Sequence, residues 1–144
     1  MAKAREVAMA SMEAFNAHDE ERIRLLYADD VVLEAPGGIR LEGADAAAGY
    51  LTGWLRAFPD AQISAETELE SDGWVAQRIL FEGRHEDTLV GPEGEIPATH
   101  RRLKAEGTEF LRVEDGKIVE DYLCFDQVQL LTQLGVMRDL AARA

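Results

Sequence analysis

Residues 107–137 read GTEFLRVEDGKIVEDYLCFDQVQLLTQLGVM, and this stretch decides the fold class. Thr108 to Val113 alternates polar and apolar side chains, as a half-buried strand does. Asp115-Gly116 is a two-residue hairpin signal, because both central residues of that tight turn need a positive φ. Lys117 to Asp126 returns as the partner strand. Asp126, followed three residues on by Gln129, predicts a capped helix start, with Val128, Leu130, Leu131 and Leu134 as its apolar stripe and Gly135 as its stop. Glu109 and Asp121 stand within these strands where alternation would place apolar residues. Carboxylates on the buried side of a sheet are candidates for proton transfer, since desolvation moves a carboxyl pKa toward neutrality.

Upstream, the same signals recur. Ala61 to Glu70 alternates, with Ala61, Ile63, Ala65, Thr67 and Leu69 on one side and a solvated stripe from Glu66 to Asp72. Asp72-Gly73 is a second hairpin turn. The next strand, Val75 to about His85, puts Val75, Gln77, Ile79, Phe81, Gly83 and His85 on its more apolar side. Leu103 to Val113 gives Leu103, Ala105, Gly107, Glu109, Leu111 and Val113 as the inner series. Between them, Thr88 to His100 is rich in Gly and Pro and predicts a loop, long enough for a rim or lid.

The first half is helical. Ala4 to Ala17 has helical apolar spacing, and Asp19 caps a second helix through Ile23, Leu26 and Tyr27. Val31 to Leu33 is a brief strand ended by Pro36-Gly37-Gly38. A third helix runs from Ala44 to Phe58, showing Ala47, Tyr50, Leu51, Trp54, Leu55 and Phe58 on one face, and Pro59 stops it. Helix, helix, strand, helix, four strands and a helix predict one α+β domain over 1–144 with helices gathered on one face of the sheet.

The chain has 144 residues, 47% of them hydrophobic and 30% charged, with a formal net charge of −13. That balance suits a globular domain and sets aside nucleic acid and anionic membrane, both polyanions, as main partners. Arg5, Glu6 and Glu13 interrupt the apolar residues of the first fifteen, which is no signal-peptide pattern. No stretch approaches the roughly 20 apolar residues of a membrane span, so the expected location is cytoplasmic. Cys124, the lone cysteine, sits between Leu123 and Phe125 and is expected to be a buried bystander. His18, His85 and His100 form no ligand motif and Gly37-Gly38 leads to no phosphate cradle, so no metal is expected and no phosphate-binding cofactor.

This element order resembles the SnoaL-like polyketide cyclases of the nuclear-transport-factor-2-like superfamily. Three patterns carry the resemblance: Tyr27-Ala28-Asp29-Asp30-Val31, Phe81-Glu82-Gly83-Arg84-His85, and Val113 to Glu120 leading into Leu131-Thr132-Gln133-Leu134-Gly135. It implies a cone-shaped, cystatin-like fold, with a curved mainly antiparallel sheet wrapped around N-terminal helices and an apolar cavity. It also implies cofactor-free chemistry: in the ester cyclases an intramolecular aldol closure, with an aspartate of the last strand as general acid/base. Aligned through Asp115-Gly116-Lys117 and Gln133-Leu134-Gly135, that position is Leu123 here. Leucine moves no proton, so the family's mechanism does not carry over as it stands.

The remaining candidates are Glu109 or Asp121 as base, with His85 or a second, protonated acid as donor. Tyr50, Trp54, Gln77, Phe81 and Leu123 are the candidate ligand-binding wall. Each has a structural alternative: Glu109 pairs with a buried arginine or a backbone group, Asp121 faces solvent on a strand that alternates poorly, and His85 is a partly exposed strand end. Three functions stay open: a cyclase acting on a hydrophobic carbonyl compound, a non-catalytic binder of a small apolar molecule, and a module that forms a homodimer through Arg78, Leu80, Thr108 and Phe110 on its outer sheet face. Within the superfamily, epoxide hydrolysis would need an arginine in the cavity, and Arg78 alternates outward. A steroid-isomerase arrangement would need a tyrosine donor, for which Tyr50 is the helical candidate.

Overall fold

Apolar spacing sets the first helix: α1 (Ala4–Asn16) buries Ala4, Val7, Ala8, Ala14 and Phe15 on one side. α2 (Glu20–Leu26) begins where the Asp19 carboxylate accepts the Arg22 N–H at 3.1 Å. The computed structural model describes residues 3–92 and 94–137. After α2 come β1 (Tyr27–Ala35), β2 (Ile39–Glu42), α3 (Ala44–Ala57), β3 (Gln62–Ser71) and β4 (Trp74–Arg84). A small hairpin of β5 (Leu89–Gly91) and β6 (Gly94–Ile96) precedes β7 (Arg102–Glu114), β8 (Lys117–Phe125) and α4 (Gln127–Gln133).

Six strands make one sheet in the order β2-β1-β8-β7-β4-β3. All neighbours are antiparallel except β1 and β8. α1 packs against β3, β4 and β7, and α3 against β1 and α2. The expected α+β architecture is the one observed. Both hairpin turns have the required backbone, with φ of 51° and 82° at Asp72 and Gly73 and 52° and 75° at Asp115 and Gly116. The Asp126 carboxylate caps α4 by accepting the Gln129 N–H at 3.0 Å, and Gly135 ends it at φ 80°.

Two bulges correct the sequence reading. In β8, Arg112 pairs with Glu120 but Val113 with Ile118, so Val119 is an extra residue. A bulge shifts the inward parity by one, and Ile118 and Asp121 are therefore both buried. This is why β8 has apolar residues at both parities. In β3, Ala65 pairs with Ile79 and Thr67 with Arg78, leaving Glu66 unpaired. Beyond it Leu69, expected inward, is 68% exposed, while Glu68, expected in the solvated stripe, is half-buried opposite Gln77.

Other expectations change too. Tyr27 is not the end of α2 but the first residue of β1, and the brief Val31–Leu33 strand is nine residues long with β2 as its hairpin partner. The Thr88–His100 loop contains β5 and β6, and its Glu93 lies outside the described residues. Cys124 is exposed rather than buried, because it pairs with Thr108 on the outer face. Val128 is also exposed: it lies about 200° around the helix from Leu130, and Leu130, Leu131 and Leu134 face the core.

Gly107 shows how tightly β7 and β8 close. A Cβ there would lie 2.9 Å from the Cys124 carbonyl oxygen and 3.3 Å from the Phe125 Cβ. Gly107→Val is expected to destabilise the fold by about 1–3 kcal/mol through overpacking, measured by urea denaturation. A variant as stable as the wild type would show that the strand pair yields freely.

Candidate active site

The β7–β8 ladder pairs Glu109 with Leu123 and Leu111 with Asp121, making Glu109 and Asp121 diagonal neighbours on the inner face. Diagonal partners lie about 7–8 Å apart at the backbone, within reach of long side chains. Asp121 is 1% exposed. Its Oδ2 accepts a hydrogen bond from the Tyr27 hydroxyl at 2.7 Å. Glu109 Oε1 accepts from the side-chain amide of Gln77 at 2.8 Å, and Gln77 is itself buried directly opposite Glu109 on β4. Asp121 Oδ1 has no donor among the described residues.

Burial raises the Asp121 pKa well above the ordinary carboxyl value. The Glu109 charge raises it further, as does the hydrogen bond that Glu109 accepts from the protonated acid, while the Tyr27 hydroxyl opposes both. A proton on Oδ1 resolves its missing partner, since Glu109 can then accept from it. Tyr27 is also pushed well above its usual value, first by burial and then by the Asp121 and Glu109 charges. It stays a donor. The raised Asp121 pKa thus favours its protonated form beside Glu109.

Beside this pair lies an apolar cavity of about 70 Å³, lined by residues that include Tyr50, Leu51, Trp54, Phe81, Leu123 and Phe125. A smaller one of about 20 Å³ sits under the β5–β6 hairpin, and an open groove of about 570 Å³ runs between α3 and that hairpin. Tyr50 and Trp54 border all three. Neither carboxylate lines the inner cavity: Leu123, across the ladder from Glu109, forms its wall. Burial raises the Tyr50 pKa, a hydrogen bond with Trp54 opposes this, and the Asp121 charge adds to it. A further concavity of about 670 Å³ is an open groove between the start of α1 and the two hairpin turns, and none of the candidate residues lines it.

Tyr50, Trp54, Phe81 and Leu123 line this cavity, whereas Gln77 is hydrogen-bonded to Glu109. His85 is not brought to the acids. It lies eight positions along β4 from Gln77, roughly 27 Å of strand. It is fully buried, stacked on Phe58 with ring centroids 5.2 Å apart. Its Nδ1 accepts the Thr99 N–H at 3.1 Å, fixing the neutral ring with its proton on Nε2. Its placement supports a structural clamp on the 86–100 loop.

Burial lowers the His85 pKa, with the backbone hydrogen bond at Asp87 and the Glu86 and Asp87 charges opposing and His100 adding to the lowering. A base with a depressed folded pKa contributes stability that is present above its unfolded value of about 6.5 and is lost as pH falls through the folded value. Limited proteolysis should therefore cut the 86–100 loop faster at pH 5 than at pH 8, relative to an unstructured peptide control. Equal relative rates would remove the clamp.

Sequence reading missed Tyr27, which stands 94 residues from Asp121. No local pattern marks it, because the parallel β1–β8 pairing brings the two together. Arg78 is on the outer face as the alternation predicts, paired with Glu66 and Glu106. Among the described residues, no group of three His, Cys, Asp or Glu is placed to hold a metal ion, and no helix is long and apolar enough to cross a membrane.

A curved mixed sheet packed against helices places the protein in the class of small NTF2-like α+β proteins. The model of the SnoaL-like polyketide cyclase family matches residues 5–134, and the chain belongs to that family. Aklanonic acid methyl ester cyclase DnrD of Streptomyces peucetius is 36% identical over 117 residues, which cover 80% of this chain and 76% of that protein. The nogalonic acid methyl ester cyclase of Streptomyces nogalater is 37% identical over 87 residues, 59% of this chain and 62% of its own. Among solved structures, IdmH of Streptomyces antibioticus, a proposed polyketide cyclase, is 28% identical with a TM-score of 0.77, covering 94% of this chain and all of that one. A SnoaL-like protein of Jannaschia sp. CCS1 reaches a TM-score of 0.80 at 13% identity, over 91% of this chain and 90% of that one, a likeness of fold alone.

Proposed function

We propose that this protein is a cofactor-independent cyclase that closes a ring within a hydrophobic carbonyl compound, a polyketide ester of the kind its relatives' names describe. The observation that carries the reading is the pair of half-buried Glu109 and fully buried Asp121 beside an apolar cavity, in a chain of this family. An aldol closure needs a base for the proton between two carbonyls and a donor for the oxygen that becomes anionic. Glu109 takes the C–H proton, the enolate carbon attacks a second carbonyl of the same molecule, and the new alkoxide takes the Asp121 proton. Glu109 then returns its proton to Asp121. Product and substrate are isomers, and nothing external is consumed.

The roles of the family's aspartate thus pass from position 123 to its neighbours. Substrate enters from the groove between α3 and the hairpin, past Tyr50 and Trp54, which border the groove and the inner cavity alike. Ligand pockets usually hold about 300–1,000 Å³, so these side chains and Leu123 must move to admit it. The test is incubation with aklanonic or nogalonic acid methyl ester, followed by chromatography. A product of unchanged mass and new retention supports the reading. Tight binding of both esters with no conversion would replace it with the binder reading, which Leu123 favours.

The proposed partner besides substrate is a second copy across the outer sheet face. Leu69, Ala76, Phe110 and Tyr122 follow one another across neighbouring strands there, with Phe110 53% exposed. A monomer by sedimentation at micromolar concentration would exclude it.

A further inference from the structure

Tyr27 and Gln77 have no place in the reaction just described, yet both are buried and each gives its one side-chain contact with an acid to a single carboxylate oxygen. We infer that they are positioning residues: Tyr27 occupies Asp121 Oδ2 and Gln77 occupies Glu109 Oε1, so that one proton is held on Asp121 Oδ1 and shared with the remaining oxygen of Glu109.

Two carboxylates side by side present only acceptors, and without a proton between them the buried Asp121 would keep an unsatisfied oxygen with a like charge beside it. The Tyr27 hydroxyl donates to Asp121 Oδ2 at 2.7 Å, and burial and both acids oppose its ionisation. That commits Oδ2 as an acceptor and leaves Oδ1, which has no other partner among the described residues, to carry the proton. Gln77 offers its amide hydrogens from the opposite side, where the β4–β7 pairing holds it level with Glu109. The groups facing Asp121 are Tyr27 from the start of β1, Glu109 from β7 and Tyr50 from α3. No cationic side chain is among them.

This inference gives the acid/base roles of the proposed reaction their order, and so rests on that reading for its purpose, but its test needs no substrate. The side-chain carboxyl carbons of the full-length protein are followed by carbon-detected NMR across a pH titration, in the wild type, Tyr27→Phe, Gln77→Leu and Glu109→Gln. Tyr27→Phe should move the Asp121 midpoint up, since a hydrogen bond to the ionised form is lost. Glu109→Gln should move it down, since the neighbouring charge is lost. Gln77→Leu should change the Glu109 resonance and disturb the shared midpoint. A merely structural role would give no such opposed pair of shifts.

An unmoved Asp121 midpoint in either folded Tyr27→Phe or folded Glu109→Gln overturns the shared proton. Should Tyr27→Phe not fold, the wild type still decides. The buried Tyr27 hydroxyl should give a slowly exchanging downfield proton resonance that shifts as Asp121 ionises, and its absence overturns the assignment. Opposed shifts in a protein that converts no ester would leave the pair standing and remove the cyclase reading. Turnover without those shifts would do the reverse.

Discussion

Glu109→Gln should lower turnover of a competent substrate by about 10²–10⁴-fold, the usual contribution of a positioned general base, while ligand affinity stays within a few-fold. The substitution is nearly isosteric. The carbonyl of the introduced amide can still accept the Gln77 hydrogen bond that now reaches Glu109 Oε1 at 2.8 Å, so the strand pairing and cavity wall should survive. What is removed is the basic oxygen facing Asp121. Steady-state kinetics with binding measured separately by calorimetry provides the check. Equal losses in binding and turnover would mean that Glu109 shapes the site, and unchanged turnover would remove it as the base.

Phe58→Ala should cost about 3–5 kcal/mol of stability, the range for deleting a buried aromatic ring. Phe58 has no exposed surface and connects the aromatic wall to the loop clamp. Its ring lies 5.9 Å from Trp54, 5.2 Å from Phe81 and 5.2 Å from His85, measured between centroids. The chain also approaches it closely at Gly83, where a Cβ would be 3.1 Å from the Phe58 Cβ. Such a site collapses poorly when emptied. Urea denaturation should show the loss as a lower midpoint at similar slope, and a loss under about 1 kcal/mol would show that the aromatic wall repacks.

The Asp121 pKa also fixes the sign of a pH effect. A carboxyl whose folded pKa is raised contributes stability that is fully present below its unfolded value of about 3.9 and lost as pH rises through the folded value. Asp121→Asn, which holds a neutral group throughout, should therefore gain on the wild type in stability as pH rises above about 4. Denaturation at several pH values reads the difference, and parallel stability curves would show that Asp121 ionises without cost.

Much of the fold was legible because its signals are local. Asp72-Gly73 and Asp115-Gly116 take positive φ at both residues, Asp19 and Asp126 cap their helices, and the inner series of β4 and β7 follow simple alternation. Both carboxylates were found by the same rule, as charged residues at inward positions. The errors fall where a long-range pairing overrides a local pattern. His85 obeys the alternation of β4 and is buried, but alternation fixes a face and not a position along the strand.

The sequence by itself determined the element order, the hairpins, the helix caps and the two acids of the candidate site, because turn stereochemistry, capping and side-chain periodicity act within a few residues. Only the tertiary structure decided that the bulge at Val119 turns Ile118 and Asp121 to one side, that Glu66 sends Leu69 outward, and that the parallel β1–β8 pairing delivers the Tyr27 hydroxyl to Asp121. Strand register and bulges are settled by which side chains fill a common core across the whole chain, and no window along the sequence contains that competition.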